Sequence, residues 1–236
     1  MRSIIRTGDS PRRTLDPITR DVAALCAAGV VVGLSFGAIA SAAGLPLSQI
    51  VAMSVFIYAG GAQFLAIGLV GAGATTVAVV LAGLLLNARH LPFGLAIGSA
   101  PLGDRWAARL LGSHLMTDES VAFALAQEDP ARRRRAYWMT GIGLFLTWNV
   151  ASAIGAVAGS ALGDPNTFGI DAAFPAALLA LTLPSLKDKT SVRVAVGGAA
   201  LALATTPFLP AGLPVLVALV ALALALPVPQ RKRTAA

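Results

Sequence analysis

The chain has 236 residues, of which 56% are hydrophobic and 12% are charged, and its mean hydropathy is +0.77. Soluble domains carry about twice that charged fraction. This composition therefore excludes a soluble globular protein and favours an all-α, polytopic membrane helical bundle. The net charge of +7 does not indicate nucleic-acid binding, because the arginines form clusters within residues 2–20, 132–135 and 231–233. Such clusters are typical of the cytoplasmic flanks of membrane helices.

Apolar runs near the ~20 residues that cross a bilayer as a helix recur along the chain. They predict one transmembrane transport domain over residues 22–228, with about seven or eight membrane segments, one or two of them interrupted by polar motifs. A basic N-terminal tail (1–21) and a basic C-terminal tail (229–236) flank this domain, and both are expected in the cytoplasm. The candidate spans are 22–43, 47–71, 74–100, 137–162, 172–186, 192–207 and 213–227.

The polar insertion at 101–136 raises a problem of topology. Three full spans between residues 22 and 100 would end outside the cell, yet the arginines at 132–135 are expected inside, so one crossing is missing. Either residues 105–127 cross as an interrupted segment, or the 74–100 run breaks near Arg89 and doubles back. We favour the first solution, because apolar sequence flanks the polar motif on both sides. Either arrangement would surround an internal cavity with polar residues.

Arg89 and His90 stand side by side in GLLLNARHLPFG (83–94), inside a long apolar run. An arginine at the centre of a membrane helix costs about 2.5–3.5 kcal/mol on insertion scales. At ~1.5 Å per residue, Arg89 lies too far from either end of the run to reach headgroups by snorkelling. The sequence therefore predicts an interior role for Arg89, whereas a lone histidine often only packs. Asn87 shares a helical face with His90 and is expected to fix the imidazole tautomer.

Asp118 and Glu119 are the acidic residues with apolar sequence on both sides, in LMTDESVAFAL. They are the candidate counter-charges for Arg89. The alternative is that this motif only begins a helix in a loop, with Thr117 or Asp118 as the N-cap and the carboxylates stabilising the helix dipole. Thr117 and Ser120 are assigned supporting roles in either case.

Polar or small residues at similar depth complete the candidate site. Gly60, Gly61 and Gln63 lie near the middle of the second span, where paired glycines permit close helix approach or local unwinding. Trp148 and Asn149 lie in the middle of the 137–162 span, away from the interfacial belt usual for tryptophan. A packing role explains each of these residues as well as a binding role does.

Other patterns argue against catalysis. GLSFG at 33–37 fits the G-x-S-x-G nucleophile pattern, but it lies inside an apolar helix rather than at a strand-to-helix turn. No histidine, cysteine or aspartate spacing suits a metal, so no enzyme, metal or cofactor is expected. FGAIASAAG at 36–44 is echoed by IGAVAGSAL at 154–162, 118 residues later, and this echo suggests an internal repeat.

Three blocks together resemble the azaleucine-resistance (AzlC-type) branched-chain amino acid exporter family. They are FGAIASAAGLPLSQIVAMSVFIYAGGAQF, LLLNARHLPFGLAI and LMTDESVAFAL, and the likeness runs from about residue 28 to 186. Family members usually carry a tyrosine-containing segment after the Arg-His pair, whereas Pro92 and Phe93 follow it here. The resemblance implies an inner-membrane exporter of branched-chain amino acids that works with a small, separately encoded hydrophobic (AzlD-type) subunit.

The chemistry of such a substrate agrees with the residues. Its carboxylate needs a cation or free helix-start N–H groups, which Arg89 can supply, and its ammonium needs a carboxylate such as Asp118 or Glu119. No P-loop is present, so proton coupling through His90 or Asp118 is the expected source of energy. The alternative function is a passive small-solute channel or a membrane subunit without its own transport cycle.

Overall fold

The computed structural model describes residues 16–161, 179, 182–183 and 186–225, and within them the chain is helical, which confirms the predicted all-α class. The predicted span at 172–186 and most of the two tails lie outside the described residues. The helices are α1 (Pro17–Ala42), α2 (Leu47–Phe56), α3 (Gly60–Gly71), α4 (Thr76–Asn87), α5 (His90–Ile97), α6 (Trp106–His114), α7 (Asp118–Leu125), α8 (Pro130–Ala161), α9 (Lys189–Thr205) and α10 (Leu213–Ala218), which continues as a 3₁₀ helix (Leu219–Ala225).

Helices α1 and α8 run parallel with their backbones in contact. A Cβ on Gly37 would overlap the carbonyl oxygen of Ser152, and one on Gly155 would overlap that of Leu34. Small residues four apart let helices approach this closely. The internal echo at 36–44 therefore falls on a helix–helix interface, as does the glycine pair of GLSFG.

The arginine cluster marks the end of the bundle where α1 and α8 begin. Arg135 lies 3.3 Å and Arg132 3.9 Å from the carboxylate of Asp16, and Arg135 also donates to Thr19 Oγ1 at 3.2 Å. We call this end the arginine end and the opposite end, where α1 and α8 finish, the far end. These two terms fix the direction of every other helix.

Helices α4 and α5 form one nearly continuous rod from the far end to the arginine end. Ala88 and Arg89 between them keep helical dihedral angles, with φ −57° and ψ −20° for the first and φ −57° and ψ −23° for the second. The interruption arises because Pro92 has no N–H for the Ala88 carbonyl, which instead accepts from Leu91 at 3.0 Å. The alternative in which the 74–100 run doubles back is therefore wrong.

Helices α2 and α3 form a hairpin that enters from the far end and returns to it. Ile50 of α2 and Ile67 of α3 belong to one buried cluster with residues 36–40 of α1, close to the far end. Tyr58, in the turn between them, reaches the middle of α8 and has a left-handed φ of +39°. The 47–71 run, which was predicted as a full span, is thus the segment that doubles back.

Helices α6 and α7 form a second hairpin, which enters from the arginine end. Both flanks of this hairpin, Gly103 and Gln127, contact arginines of the 132–135 cluster. Leu115 at its turn lies against the middle of α8. The favoured prediction that residues 105–127 cross the membrane is therefore wrong, because the segment returns to the end where it began.

The C-terminal helices α9 and α10 form an antiparallel pair. Arg193 donates to the carbonyl of Leu224, and Gly212 before α10 lies beside Ala78 at the far end. Asp188 caps α9 by accepting hydrogen bonds from Thr190 and Ser191 N–H groups at 2.8 and 2.9 Å. The hydrogen bond from the Ser191 hydroxyl, followed by that from its backbone N–H, lowers the pKa of Asp188 below its usual value.

Three helical stretches in the described part of the chain are long and apolar enough to cross a membrane: α1, α4 with α5, and α8. The predicted seven or eight spans are therefore not confirmed. The three long stretches alternate in direction, so the starts of α1 and α8 lie at one end without an additional crossing. The missing crossing is accounted for by two hairpins that enter from opposite ends.

Candidate functional site

Three helix interruptions meet at a cavity in the middle of the bundle, which we call the central cavity. Its volume is about 220 Å³. This is below the roughly 300–1,000 Å³ of pockets for drug-sized ligands, so it suits a small solute. The lining residues come from the turn of the first hairpin, the α4–α5 junction and the turn of the second hairpin: Ile57, Tyr58, Ala59, Asn87, His90, Ser113, His114 and Met116.

The start of α3 lies beside the guanidinium of Arg89. A Cβ on Gly61 would sit 3.8 Å from Arg89 Nη2, and one on Gly60 would sit 3.0 Å from the ring of Trp148. The first N–H groups of a helix have no partner within it and form its positive end. The absence of a Cβ at Gly60 leaves room for the Trp148 ring, and a helix N-terminus beside a guanidinium is an arrangement that attracts an anion.

The structure places Arg89 opposite Asp118, with Nη1 and Oδ2 3.9 Å apart. This separation exceeds the ~2.7–2.9 Å of a charge-assisted hydrogen bond. The side chains are 38% and 50% exposed, while Arg89 Nε is buried without a hydrogen-bond partner. The two charges face each other without a short hydrogen bond between them, and the Nε–H of Arg89 has no acceptor.

Asp118 is the first residue of α7, and Thr117 caps that helix. Thr117 Oγ1 accepts from the Ser120 N–H at 3.1 Å, and Ser120 Oγ accepts from the Thr117 N–H at 2.9 Å. The structure therefore contains the capping arrangement that was considered as an alternative, and it also places Asp118 against Arg89. Glu119 lies within electrostatic reach of Asp118 and Tyr58.

His90 is anchored within its own helix turn. Its Nδ1 lies 2.9 Å from the carbonyl oxygen of Asn87. A carbonyl only accepts, so Nδ1 donates, and Nε2 of the neutral ring is a free acceptor. The backbone carbonyl of Asn87 sets the tautomer. This role was predicted for the Asn87 side chain, but its Oδ1 is buried without a hydrogen-bond partner.

Of the predicted site residues, only Asn87 and His90 line the central cavity, and Arg89 and Asp118 lie outside its lining. Gln63 is fully buried and donates from Nε2 to Ser54 Oγ at 3.4 Å, which links the two arms of the first hairpin. Asn149 donates to the Phe145 carbonyl of its own helix at 2.8 Å. Trp148 packs behind Gly60. Their positions support packing roles for these side chains.

Tyr58 and His114 line the cavity and were missed in the sequence analysis. Tyr58 donates weakly to the Gly141 carbonyl at 3.5 Å, and its ring contacts those of Phe145 and His114. Tyr58 lies two residues before Gly60, the first residue of α3, and His114 lies three residues before Thr117, the N-cap of α7. A tyrosine or histidine before a helix-start signal inside apolar sequence was the available signal.

No group of three or more histidine, cysteine, aspartate or glutamate side chains is arranged to hold a metal ion in the part of the chain that the structure describes. The central cavity is lined by two imidazoles, a phenol, an amide and a hydroxyl, and the Arg89–Asp118 pair lies outside this lining.

Residues 24–162 match the AzlC protein family. The chain is similar to a membrane protein of Helicobacter pylori strain J99, with 29% identity over 84% of this chain and 86% of the relative. It is also similar to the inner membrane protein YgaZ of Escherichia coli K12 (29% identity, 70% of each chain) and to a membrane protein of Archaeoglobus fulgidus (30% identity, 74% of this chain and 77% of the relative). No solved structure matches the chain. The family match covers more than half of the sequence, and the chain is therefore a member of the AzlC protein family.

Proposed function

We propose that this protein is a secondary transporter subunit that exports branched-chain, neutral apolar amino acids across the bacterial inner membrane. The proposal rests mainly on the Arg89–Asp118 pair, whose charges face each other at 3.9 Å beside the central cavity. Membrane location and a transport-related role agree with the AzlC family and with relatives named as membrane proteins. The substrate, the direction of transport and the coupling ion are parts of the proposal.

In the proposed binding mode, a zwitterion inserts between the two charges. The substrate carboxylate takes the guanidinium of Arg89 and the N–H groups at Gly60 and Gly61, and Asp118 then receives the substrate ammonium. Because the pair is not closed by a short hydrogen bond, insertion replaces one loose contact by two charge-assisted ones. Ile57 and Met116 supply apolar lining for the substrate side chain.

We infer that the two hairpins are re-entrant segments that enter the membrane from opposite sides. Irregular backbone at membrane depth is tolerated where it is buried in protein or lines a wet cavity, and the turns at Tyr58 and Leu115 satisfy this condition. The arginine end would face the cytoplasm under the positive-inside rule. Both termini would then be cytoplasmic.

Proton coupling through His90 or Asp118 would supply the energy for export. His90 lines the cavity, its Nδ1 donates to Asn87 and its Nε2 is left as an acceptor, and histidine is a common proton carrier in proteins. A small hydrophobic AzlD-type subunit is the proposed partner. The surface of α4 and α5 would suit it or lipid, since exposed apolar side chains follow one another there: Val77, Leu81, Leu84, Leu91 and Leu95.

Export assays with the reconstituted protein and its partner subunit test the proposal. Vesicles loaded with leucine should release it faster when a pH gradient is imposed, and unlabelled valine or isoleucine should compete. A passive channel would release leucine at a rate that does not depend on the gradient. A subunit without its own transport cycle would release none, and either result would reject the proposal.

A further inference from the structure

A single histidine side chain connects the turns of the two hairpins. His114 ends α6, and its Nε2 lies 2.8 Å from the carbonyl oxygen of Val55 in the last turn of α2. Since a carbonyl only accepts, Nε2 donates, and Nδ1 of the neutral ring is left as an acceptor. The ring also packs against Tyr58 and Phe145, with centroids 6.1 and 5.7 Å apart.

The second histidine of the cavity is attached differently. His90 Nδ1 donates to Asn87, three residues earlier in the same rod. A change in the charge of His90 therefore acts mainly on its own segment. A change in the charge of His114 acts on a bond between two segments that enter from opposite ends.

We propose that His114 is a positioning residue that links proton binding to the contact between the two hairpins. This inference rests on the proposed function for its role in transport. A protonated imidazole donates a stronger, charge-assisted hydrogen bond than a neutral one. Protonation of His114 thus strengthens the contact between the turn of the second hairpin and Val55, and deprotonation leaves only the weaker hydrogen bond of the neutral ring.

The same charge makes proton and substrate exclude each other. An imidazolium at His114 and the ammonium of an amino acid bound beside the cavity would be like charges and would repel each other. An empty carrier would therefore carry the proton in one direction, and a loaded carrier would carry the amino acid in the other. This is the exchange that proton-driven export requires.

Each element packed around His114 contributes a defined group. The turn after α2 presents the phenol of Tyr58, the start of α5 presents His90, and α8 presents the uncharged ring of Phe145. From α7, Glu119 lies within electrostatic reach of the Tyr58 phenol.

Two substitutions at His114 separate the hydrogen bond from the proton. H114Q retains an N–H donor near the position of Nε2 but cannot titrate, and H114A removes both. R20Q is the control, because it removes one charge of an exposed ion pair away from the central cavity. In leucine efflux assays across a range of pH, we expect H114Q to exchange leucine but to lose its response to the pH gradient. H114A should be slow both in exchange and in gradient-driven efflux, and R20Q should keep the response. A gradient response in H114Q equal to that of the parent would overturn the inference.

A distance measurement tests the contact without any transport. Spin labels at F56C and L111C, two exposed positions near the turns, in a C26S background report the separation of the hairpins by pulsed electron resonance. In the parent the labels should move closer as the pH falls through the histidine range of about 8 to 5, and in H114Q they should not move. If leucine is not transported but this pH dependence holds, the proposed function fails and the linkage stands. A parent without pH dependence contradicts the linkage itself.

Discussion

Neutralising Arg89 or Asp118 should abolish transport with little effect on stability. At 3.9 Å, two unit charges attract by about 4 kcal/mol for an effective dielectric constant of about 20. The side chains are 38% and 50% exposed, so solvent screening reduces the net contribution to folding to about 0.2–1 kcal/mol. Loss of a charge that contacts the substrate costs about 2–5 kcal/mol of binding, which weakens apparent affinity by about 25-fold or more. Unfolding in detergent micelles and leucine efflux measure the two effects separately.

The controls for this prediction come from the same chain. R20Q breaks an exposed ion pair with Asp21 at 3.1 Å, away from the central cavity. It should change neither the free energy of unfolding nor the rate of leucine efflux. The double variant R89Q/D118N should be no less stable than the sum of the single effects. If R89Q instead lowers the free energy of unfolding by several kcal/mol, and transport falls only with the folded fraction, the pair is structural and the binding mode is refuted.

The other predictions concern packing and helix ends. G155A should lower the free energy of unfolding by about 1–3 kcal/mol through overpacking against Leu34. G83A, which has open space at its Cβ, should be neutral or stabilising. Equal effects of the two substitutions on stability would contradict the α1–α8 interface. T117A should cost about 1 kcal/mol through loss of the α7 cap, and T117S should restore both stability and transport; a silent T117A would contradict the capping box. The folded state lowers the pKa of Asp188, so its contribution is complete above the unfolded pKa of about 3.9 and is lost as the pH falls through the folded value. The protection factors of the Thr190 and Ser191 amides against hydrogen exchange should fall in acid for the parent but not for D188A, and identical pH profiles of protection would contradict this.

Charge in an apolar context was the informative part of the sequence for the site. Arg89 and Asp118 stood out because each is costly in lipid, and the structure places them opposite each other. Composition was equally informative for the helical class. The first signal depends on single charged residues and the second on the average composition of the chain. Neither requires knowledge of where the chain turns.

Chain direction was harder to predict. The 47–71 run has the length and hydropathy of a span, and hydropathy does not distinguish one crossing from two half-length helices that return. The turn depends on Tyr58 in a left-handed conformation and on tertiary packing of Ile50 and Ile67 against α1. His114 was overlooked for the same reason, because its depth follows from a hairpin and not from local sequence.

The position of residue 72 relative to residue 43 tests the central claim most directly. Ala43 and Ala72 flank the first hairpin, and Glu128 lies beyond the second; all three are exposed. In a C26S background, single-cysteine variants at these positions can be labelled with a membrane-impermeant maleimide in intact cells. The account predicts that A43C and A72C are labelled from the same face, whereas E128C reacts only after permeabilisation. Labelling of A43C and A72C from opposite faces would make 47–71 a full crossing and would contradict a cavity built by two opposed hairpins.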